Sequence, residues 1–78
     1  MNEQEFESRI AEARALRSCR RAYIEGYVRG LRRFYEGAHR GTLQEHEEWL
    51  DLAYHWDEIK AEMGRGYQDG LQGIRPQR

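Results

Sequence analysis

Side chains suited to metal or thiol chemistry are few in this chain of 78 residues, which has three histidines and one cysteine. Asp51 and His55 lie four residues apart and would share one helix face, a spacing that supplies half of a metal site. No second pair at matching spacing completes the site, so we expect neither a metal nor a cofactor. Cys19 lies among arginines, which favour a thiolate, but no histidine and Asx partner follow at a spacing typical of nucleophilic catalysis.

Other signatures of catalysis are missing from the sequence. It contains no serine nucleophile motif and no glycine-rich phosphate-binding loop. A single domain of this size buries only about 60 to 65% of the surface that its unfolded chain exposes, which leaves little room for an enclosed active site. We therefore expect that the protein is not an enzyme.

Composition and net charge indicate a folded domain in the cytoplasm. The net charge is −1, and 38% of the residues are hydrophobic. No apolar run approaches the roughly 20 residues that span a bilayer, and the acidic start of the chain does not resemble a secretory signal. A single cysteine permits no internal disulfide, so the small core must depend on helix packing or on a partner. We expect no membrane partner.

The chain up to residue 36 is predicted to form one long helix. Residues 3–36 contain two glycines, few β-branched residues and no proline. Unbroken, this helix would span about 51 Å, against about 30 Å for a compact domain, so it must break, protrude or pair with a second copy. The apolar pattern thins at residues 17–20, where a bend fits, and we expect homodimerisation through the helix. Its predicted core-facing stripe is Leu16, Tyr23, Ile24, Tyr27, Val28, Leu31, Phe34 and Tyr35.

Two shorter helices are predicted after this one. Glycines within residues 37–41 end the first helix, and Thr42 and Glu45 have the spacing of a capping box that begins the second. A third helix is expected from about residue 57 to residue 71, with an apolar and glycine-containing stripe that includes Ile59. The prediction is an all-α, three-helix domain over residues 1–78, with residues 1–20 as a charged helical extension and 73–78 as a frayed tail.

A glycine-tyrosine motif occurs twice, 40 residues apart, within two of the predicted helices. Glycines four residues apart share one helix face and leave the backbone bare, so that two helices can approach closely there. Each glycine costs about 1 kcal/mol relative to alanine in a helix, and close packing is the compensation that we expect. The alternative is backbone left exposed for a partner. The predicted helix-packing residues are Gly26, Tyr27, Gly30, Gly66, Tyr67 and Gly70.

Charge is segregated along the chain. Residues 9–40 contain nine arginines against three glutamates, and residues 41–63 contain seven acidic residues against one lysine. Three interpretations remain open: the two blocks pair within the fold, the arginines follow a nucleic-acid backbone with tyrosines stacking on bases, or the acidic stretch engages a basic protein. The tyrosines in question are Tyr23, Tyr27 and Tyr35. The predicted partner-binding residues are Arg14, Arg21, Arg32, Arg33, Glu45, Glu48, Asp51, Tyr54 and Trp56.

Three large aromatic residues lie close together in the sequence, at Trp49, Tyr54 and Trp56. Because each buries a large area, the core is the default location, and Trp49 in particular is expected to be buried. If Tyr54 or Trp56 is exposed instead, it makes a good interface anchor.

The order of the motifs carries a resemblance over residues 22–71. The segments are GYVRGLRR at 26–33, GTLQEHEEWL at 41–50 and GYQDG at 66–70. In this order they resemble small proteins of bacterial prophages and integrative elements. The resemblance implies a protein that binds a host component, as anti-defence inhibitors such as anti-CRISPR proteins do. We therefore expect a non-enzymatic protein that occludes a surface of a host protein or complex, with a defence complex as candidate. The alternative is a nucleic-acid-binding accessory factor that uses the arginine edge of the first helix.

Overall fold

The computed structural model describes residues 2–16, 20–37 and 41–76. These residues form four α-helices and one short 3-10 helix, which confirms the all-α class. The elements are α1 (Glu3–Ala15), α2 (Arg21–Glu36), α3 (Leu43–Asp51), the 3-10 turn (Leu52–Tyr54) and α4 (Glu58–Leu71).

The single long helix predicted over residues 3–36 is wrong, because α1 and α2 are separate helices. Leu16 leaves α1 with extended backbone (φ −73°, ψ 119°), and Arg20 enters α2 with extended backbone (φ −67°, ψ 146°). Residues 17–19, which hold Cys19 and most of the predicted bend, lie outside the described residues. The break replaces one helix too long for the domain with two that fit it.

α1 folds back along α2. Phe6, near the start of α1, stacks on Tyr35, near the end of α2, with ring centroids 4.5 Å apart. The radius of gyration of the Cα atoms is 11.7 Å, close to the roughly 11.5 Å expected for a compact chain of this length. Homodimerisation was expected because the first helix was too long for one compact domain. With that helix divided, homodimerisation stays a prediction without its geometric basis.

One buried hydrophobic cluster lies between α1 and α2, and Ala61 and Tyr67 of α4 are buried as well. Ala13 of α1 is fully buried, so α1 forms part of the core rather than only an extension. Phe6 and Ile10 of the same helix are partly buried against the cluster. The apolar stripe of α2 faces inward as predicted, apart from Phe34, which is 44% exposed. The buried cluster consists of Ala13, Tyr23, Tyr27 and Leu31.

α2 and α4 cross at the repeated glycine-tyrosine motif. A Cβ atom on Gly26 would overlap the carbonyl oxygen of Met63, and one on Gly66 would overlap that of Tyr23. Gly30 and Gly70 repeat this contact one turn further along both helices, so the two helices run in the same direction through the crossing. All four glycines therefore contact the backbone of the opposite helix.

The helix ends at Gly37 and Thr42 follow the predicted caps. α2 ends at Gly37, whose φ of 94° lies in the left-handed region that glycine adopts without strain. Thr42 accepts a hydrogen bond from the Glu45 amide at 3.1 Å, and Asp57 accepts one from the Ile59 amide at 2.9 Å. The Glu45 carboxylate, which we expected to reach back towards Thr42, instead accepts a hydrogen bond from an arginine of α2.

The buried face of α4 agrees with the predicted stripe at Gly66, Tyr67 and Gly70 but not at Ile59. Ile59 was predicted on the same stripe, but it is 60% exposed. The buried residues include Ala61, Gly64 and Glu62, whose carboxylate accepts hydrogen bonds from Arg65. Small residues determine which face of α4 is buried, because its neighbours are the backbones of α2 and of the 3-10 turn.

The segment after α4 is attached to the first two helices. Arg9 donates a hydrogen bond to the carbonyl oxygen of Gly73 at 2.7 Å, and the Tyr27 hydroxyl donates one to that of Ile74 at 2.6 Å. Residues 73 and 74 therefore differ from the frayed tail that we expected, and residues 77–78 lie outside the described residues.

Among the described residues, no helix has both the length and the apolar character needed to cross a membrane.

Candidate interaction surfaces

Residues of all four α-helices line an open groove with a volume of about 690 Å³. Arg14 of α1 contributes to its lining, and so do four arginines of α2. Glu25 and Glu45 supply acidic groups, and Trp49 and Tyr67 supply aromatic ones. We call this surface the arginine groove. Its arginines are Arg14, Arg21, Arg29, Arg32 and Arg33.

Arg29 connects α2 to α3 within the groove. Its guanidinium lies 2.6 Å from the Glu45 carboxylate and 4.6 Å from the centroid of the Trp49 ring. An arginine over an aromatic face contributes about 0.5 to 1 kcal/mol at an exposed site. Its partners therefore fix the position of Arg29, which was not among the predicted site residues.

The two charge blocks pair with each other only in part. Arg29 with Glu45, and Arg20 with Glu58 at 3.7 Å, are ion pairs between the arginine-rich block and the acidic block. Over residues 2–16, 20–37 and 41–76, three predicted partner-binding arginines of the groove form no ion pair or side-chain hydrogen bond. They are Arg14, Arg21 and Arg32.

Tyr67 anchors α3 to α4 at the groove. It is 2% exposed, and its hydroxyl is hydrogen-bonded to Nδ1 of His46 at 2.7 Å. Its ring centroid lies 5.6 Å from that of Trp49. Burial raises the pKa of Tyr67, although the positive charge of Arg33 opposes that shift. The Tyr67 hydroxyl is therefore a neutral hydrogen-bonding group at ordinary pH.

The tyrosines predicted to stack on bases are occupied within the fold. Tyr23 and Tyr27 are buried, and the Tyr23 hydroxyl donates a hydrogen bond to Asp69. The ring of Tyr35 stacks on Phe6. The prediction is therefore wrong for Tyr23 and Tyr27, because the core takes both rings.

Large apolar side chains are exposed where the 3-10 turn meets α4. Tyr54 is 86% exposed and Trp56 is 89% exposed, so their default assignment to the core is wrong. Together with Ile59, in the first turn of α4, they form what we call the aromatic end. His55 lies between them in sequence, and its Nδ1 accepts a hydrogen bond from the Asp57 amide at 3.0 Å.

Gly64 fixes the position of the aromatic end. A Cβ atom there would lie 2.6 Å from the Ala53 Cα atom, so the 3-10 turn packs directly on the α4 backbone. With Ala53 held against α4, the neighbouring Tyr54 is left in solvent. Gly64 was not among the predicted helix-packing residues, although its place two residues before the second glycine-tyrosine motif was a usable signal.

The predicted partner-binding residues therefore divide into three groups. The arginines and Glu45 line the groove, Tyr54 and Trp56 belong to the aromatic end, and Glu48 and Asp51 are exposed on α3. Trp49, which we expected to be buried, is half-buried between Arg29 and Tyr67.

The described residues offer no cluster of metal ligands. Within the described ranges, no three histidine, cysteine, aspartate or glutamate side chains come together as a metal site. Cys19 and His39 lie outside these ranges.

No protein-family model, curated protein or solved structure matches this chain.

Proposed function

We propose that this chain is a non-enzymatic protein-interaction module whose contact surface is the aromatic end. The observation that carries the proposal is the near-complete exposure of Tyr54 and Trp56, at 86% and 89%. By contrast, Tyr23, Tyr27 and Tyr67 are buried in the core of the same small domain. Tyrosine and tryptophan are the residues most enriched among the dominant contacts of protein interfaces.

The surroundings of the aromatic end indicate the chemistry of its partner. Asp51 precedes it in sequence and Glu58 lies within it, and both acidic side chains are exposed. Glu58 is only loosely paired with Arg20 at 3.7 Å, and both side chains remain in solvent. A partner with an apolar recess and a basic rim complements this arrangement, because opposite charge at the rim speeds association and fixes orientation.

The proposal extends to the biological setting through the resemblance of the motifs to prophage and integrative-element proteins. The chain would act in the cytoplasm of a bacterial host and occlude a surface of a host protein or protein complex. A defence complex, of the kind that anti-CRISPR proteins inhibit, is the target class that we propose. Occlusion suits a small chain, because it needs only a surface and no catalytic group.

Affinity capture with matched variants tests the contact surface. The immobilised chain is exposed to bacterial lysate beside the double variant Tyr54→Ala/Trp56→Ala and the control Leu43→Ala. Leu43 is 67% exposed on α3, so the control removes an exposed apolar side chain elsewhere. We expect a protein that the wild-type chain and the control retain and that the double variant loses.

Loss of the same protein from the control, or its retention by the double variant, would show that the aromatic end is not the contact surface.

A functional assay addresses the target class. In cells with an active CRISPR system, expression of the wild-type chain is expected to restore phage plaques, and the double variant is expected not to. Unchanged immunity across the defence systems tested would count against the anti-defence proposal.

A further inference from the structure

We propose that the arginine groove binds single-stranded nucleic acid, with phosphates on Arg14, Arg21 and Arg32 and a base stacked at Arg29. The site is separate from the aromatic end, and the inference does not rest on the function proposed for that end. Within the described residues, the three phosphate-binding arginines have no acidic partner, whereas Arg29 is already fixed by Glu45 and Trp49.

The charge of the groove favours a polyanion. Among the described residues, five arginines and two glutamates line it, and one of those glutamates, Glu45, is paired with Arg29. Arg21 and Arg32 are separated by three turns of α2 and lie on the same helix face, about 16 Å apart along the axis. Arg14 reaches the groove from α1. This spread matches several consecutive charges on a strand better than one small anion.

The size of the groove favours a single strand. At about 690 Å³ it has the volume of a pocket for a small molecule. A rigid double helix is wider than such a pocket and cannot enter it. α3, which follows α2 after a short connection as the recognition helix of a helix-turn-helix would, is acidic in sequence and does not suit a duplex groove. A flexible strand of a few nucleotides can enter.

Arg29 supplies the stacking surface. Its guanidinium carbon lies 4.6 Å from the centroid of the Trp49 ring, and about half of the Arg29 side chain is exposed, so a base can reach the guanidinium from solvent. Bases in single strands commonly stack on arginine planes and aromatic rings. The Glu45 carboxylate, 2.6 Å from the guanidinium, and the Trp49 ring both favour this position of Arg29, which lowers the ordering cost of binding.

Fluorescence of Trp49 reports on the groove directly. The chain has two tryptophans, so Trp56→Phe leaves Trp49 as the only one. We expect a labelled oligothymidine to gain anisotropy on binding and to quench Trp49 over the same concentration range. With three phosphates neutralised, the logarithm of the binding constant should fall with the logarithm of salt concentration with a slope of about −2.

Neighbouring arginines provide the matched control. Arg20→Ala and Arg21→Ala remove the same charge from adjacent positions, but only Arg21 lines the groove. We expect Arg21→Ala to weaken binding about fivefold near 0.1 M salt and to reduce the slope by about 0.7, with little change for Arg20→Ala. Glu25→Gln should tighten binding, because it removes a negative charge from the groove.

The base-stacking site has its own variant. Arg29→Lys keeps the positive charge near Glu45 but removes the planar guanidinium. We expect weaker binding with an unchanged salt slope, because a stacking contact is lost and no phosphate contact is. Equal affinity for Arg29→Lys and the wild-type chain would overturn the placement of a base at Arg29.

Four further results would overturn the proposal. The first is that oligothymidine does not bind at low salt, and the second is that Arg20→Ala and Arg21→Ala weaken binding equally. The third is that duplex DNA binds as tightly as the single strand. The fourth is that polyglutamate displaces the oligonucleotide at equal charge concentration. The last result would assign the groove to an acidic protein segment instead. Circular dichroism of each variant confirms that its fold is intact.

Discussion

The amide nitrogen of Leu31 lies 2.6 Å from the position that a Cβ atom on Gly70 would occupy. No side chain fits in that space, so α2 and α4 are held at backbone contact. The same crossing places the ring of Tyr67 beneath the groove and directs the hydroxyl of Tyr23 to Asp69. The glycines therefore position polar groups as well as helices.

Alanine at the crossing should strongly destabilise the fold. Gly30→Ala and Gly70→Ala each place a methyl group against the backbone of the opposite helix, which cannot move without separating α2 from α4. We expect each substitution to lower the free energy of unfolding by about 2 to 4 kcal/mol. Urea denaturation followed by circular dichroism at the helix band measures the change.

The sign of this effect is diagnostic. Helix propensity alone predicts that glycine to alanine stabilises a helix by about 1 kcal/mol. A higher melting temperature for both variants would therefore contradict the backbone contact.

The two tryptophans should contribute unequally to stability. Trp49 packs on Tyr67 and beneath Arg29, whereas Trp56 is 89% exposed. We expect Trp49→Ala to cost about 2 kcal/mol and Trp56→Ala to stay within about 0.5 kcal/mol of the wild-type chain. Thermal denaturation of both variants provides the comparison. A loss at Trp56 as large as that at Trp49 would mean that Trp56 is packed in solution.

The ion pair between Arg29 and Glu45 should be weak despite its short distance. Both side chains are about half exposed, at 47% and 45%, and exposed pairs contribute at most about 1 kcal/mol. A double-mutant cycle with Arg29→Ala and Glu45→Ala is expected to give a coupling energy below about 1 kcal/mol that decreases further as salt is added. Coupling well above this value, or insensitive to salt, would indicate a pair shielded from solvent.

Stability should fall in alkaline solution. Burial raises the pKa of Tyr27 above its ordinary value of 10.0, although the positive charge of Arg9 opposes the shift, and burial raises the pKa of Tyr67 in the same way. The unfolded chain therefore releases these protons at a lower pH than the folded chain. The stability that these two tyrosines contribute is fully present below pH 10.0 and is lost as the pH rises towards their higher folded-state pKa values.

Urea denaturation on both sides of pH 10.0 measures this loss. Tyr27→Phe should reduce the steepness of the alkaline decline, because it removes one of the two shifted groups. It should also cost about 1 kcal/mol at neutral pH, since the hydrogen bond to Ile74 disappears. Tyr54→Phe, which removes a hydroxyl from an exposed ring, is the control. An equally steep decline for Tyr27→Phe would contradict the role assigned to Tyr27.

Much of the local structure could be predicted from the sequence. Thr42 was recognised as a cap because its hydroxyl satisfies an amide three residues later, which is a local interaction. The tyrosines of α2 were assigned to the core because helical periodicity places them on one face. Glycines four residues apart likewise indicated a close helix crossing. Each of these features depends on residues within one or two helical turns.

The tertiary structure alone decided which surfaces stay open. Periodicity placed Ile59 in the core and capacity for burial placed Trp56 there, but the buried face of α4 is determined by the small residues that contact α2 and Ala53. Charge counts could not show that Arg29 pairs with Glu45 while Arg21 does not, because such pairing depends on where α3 packs. Local order follows from neighbours in sequence, whereas exposure and charge pairing follow from neighbours in space.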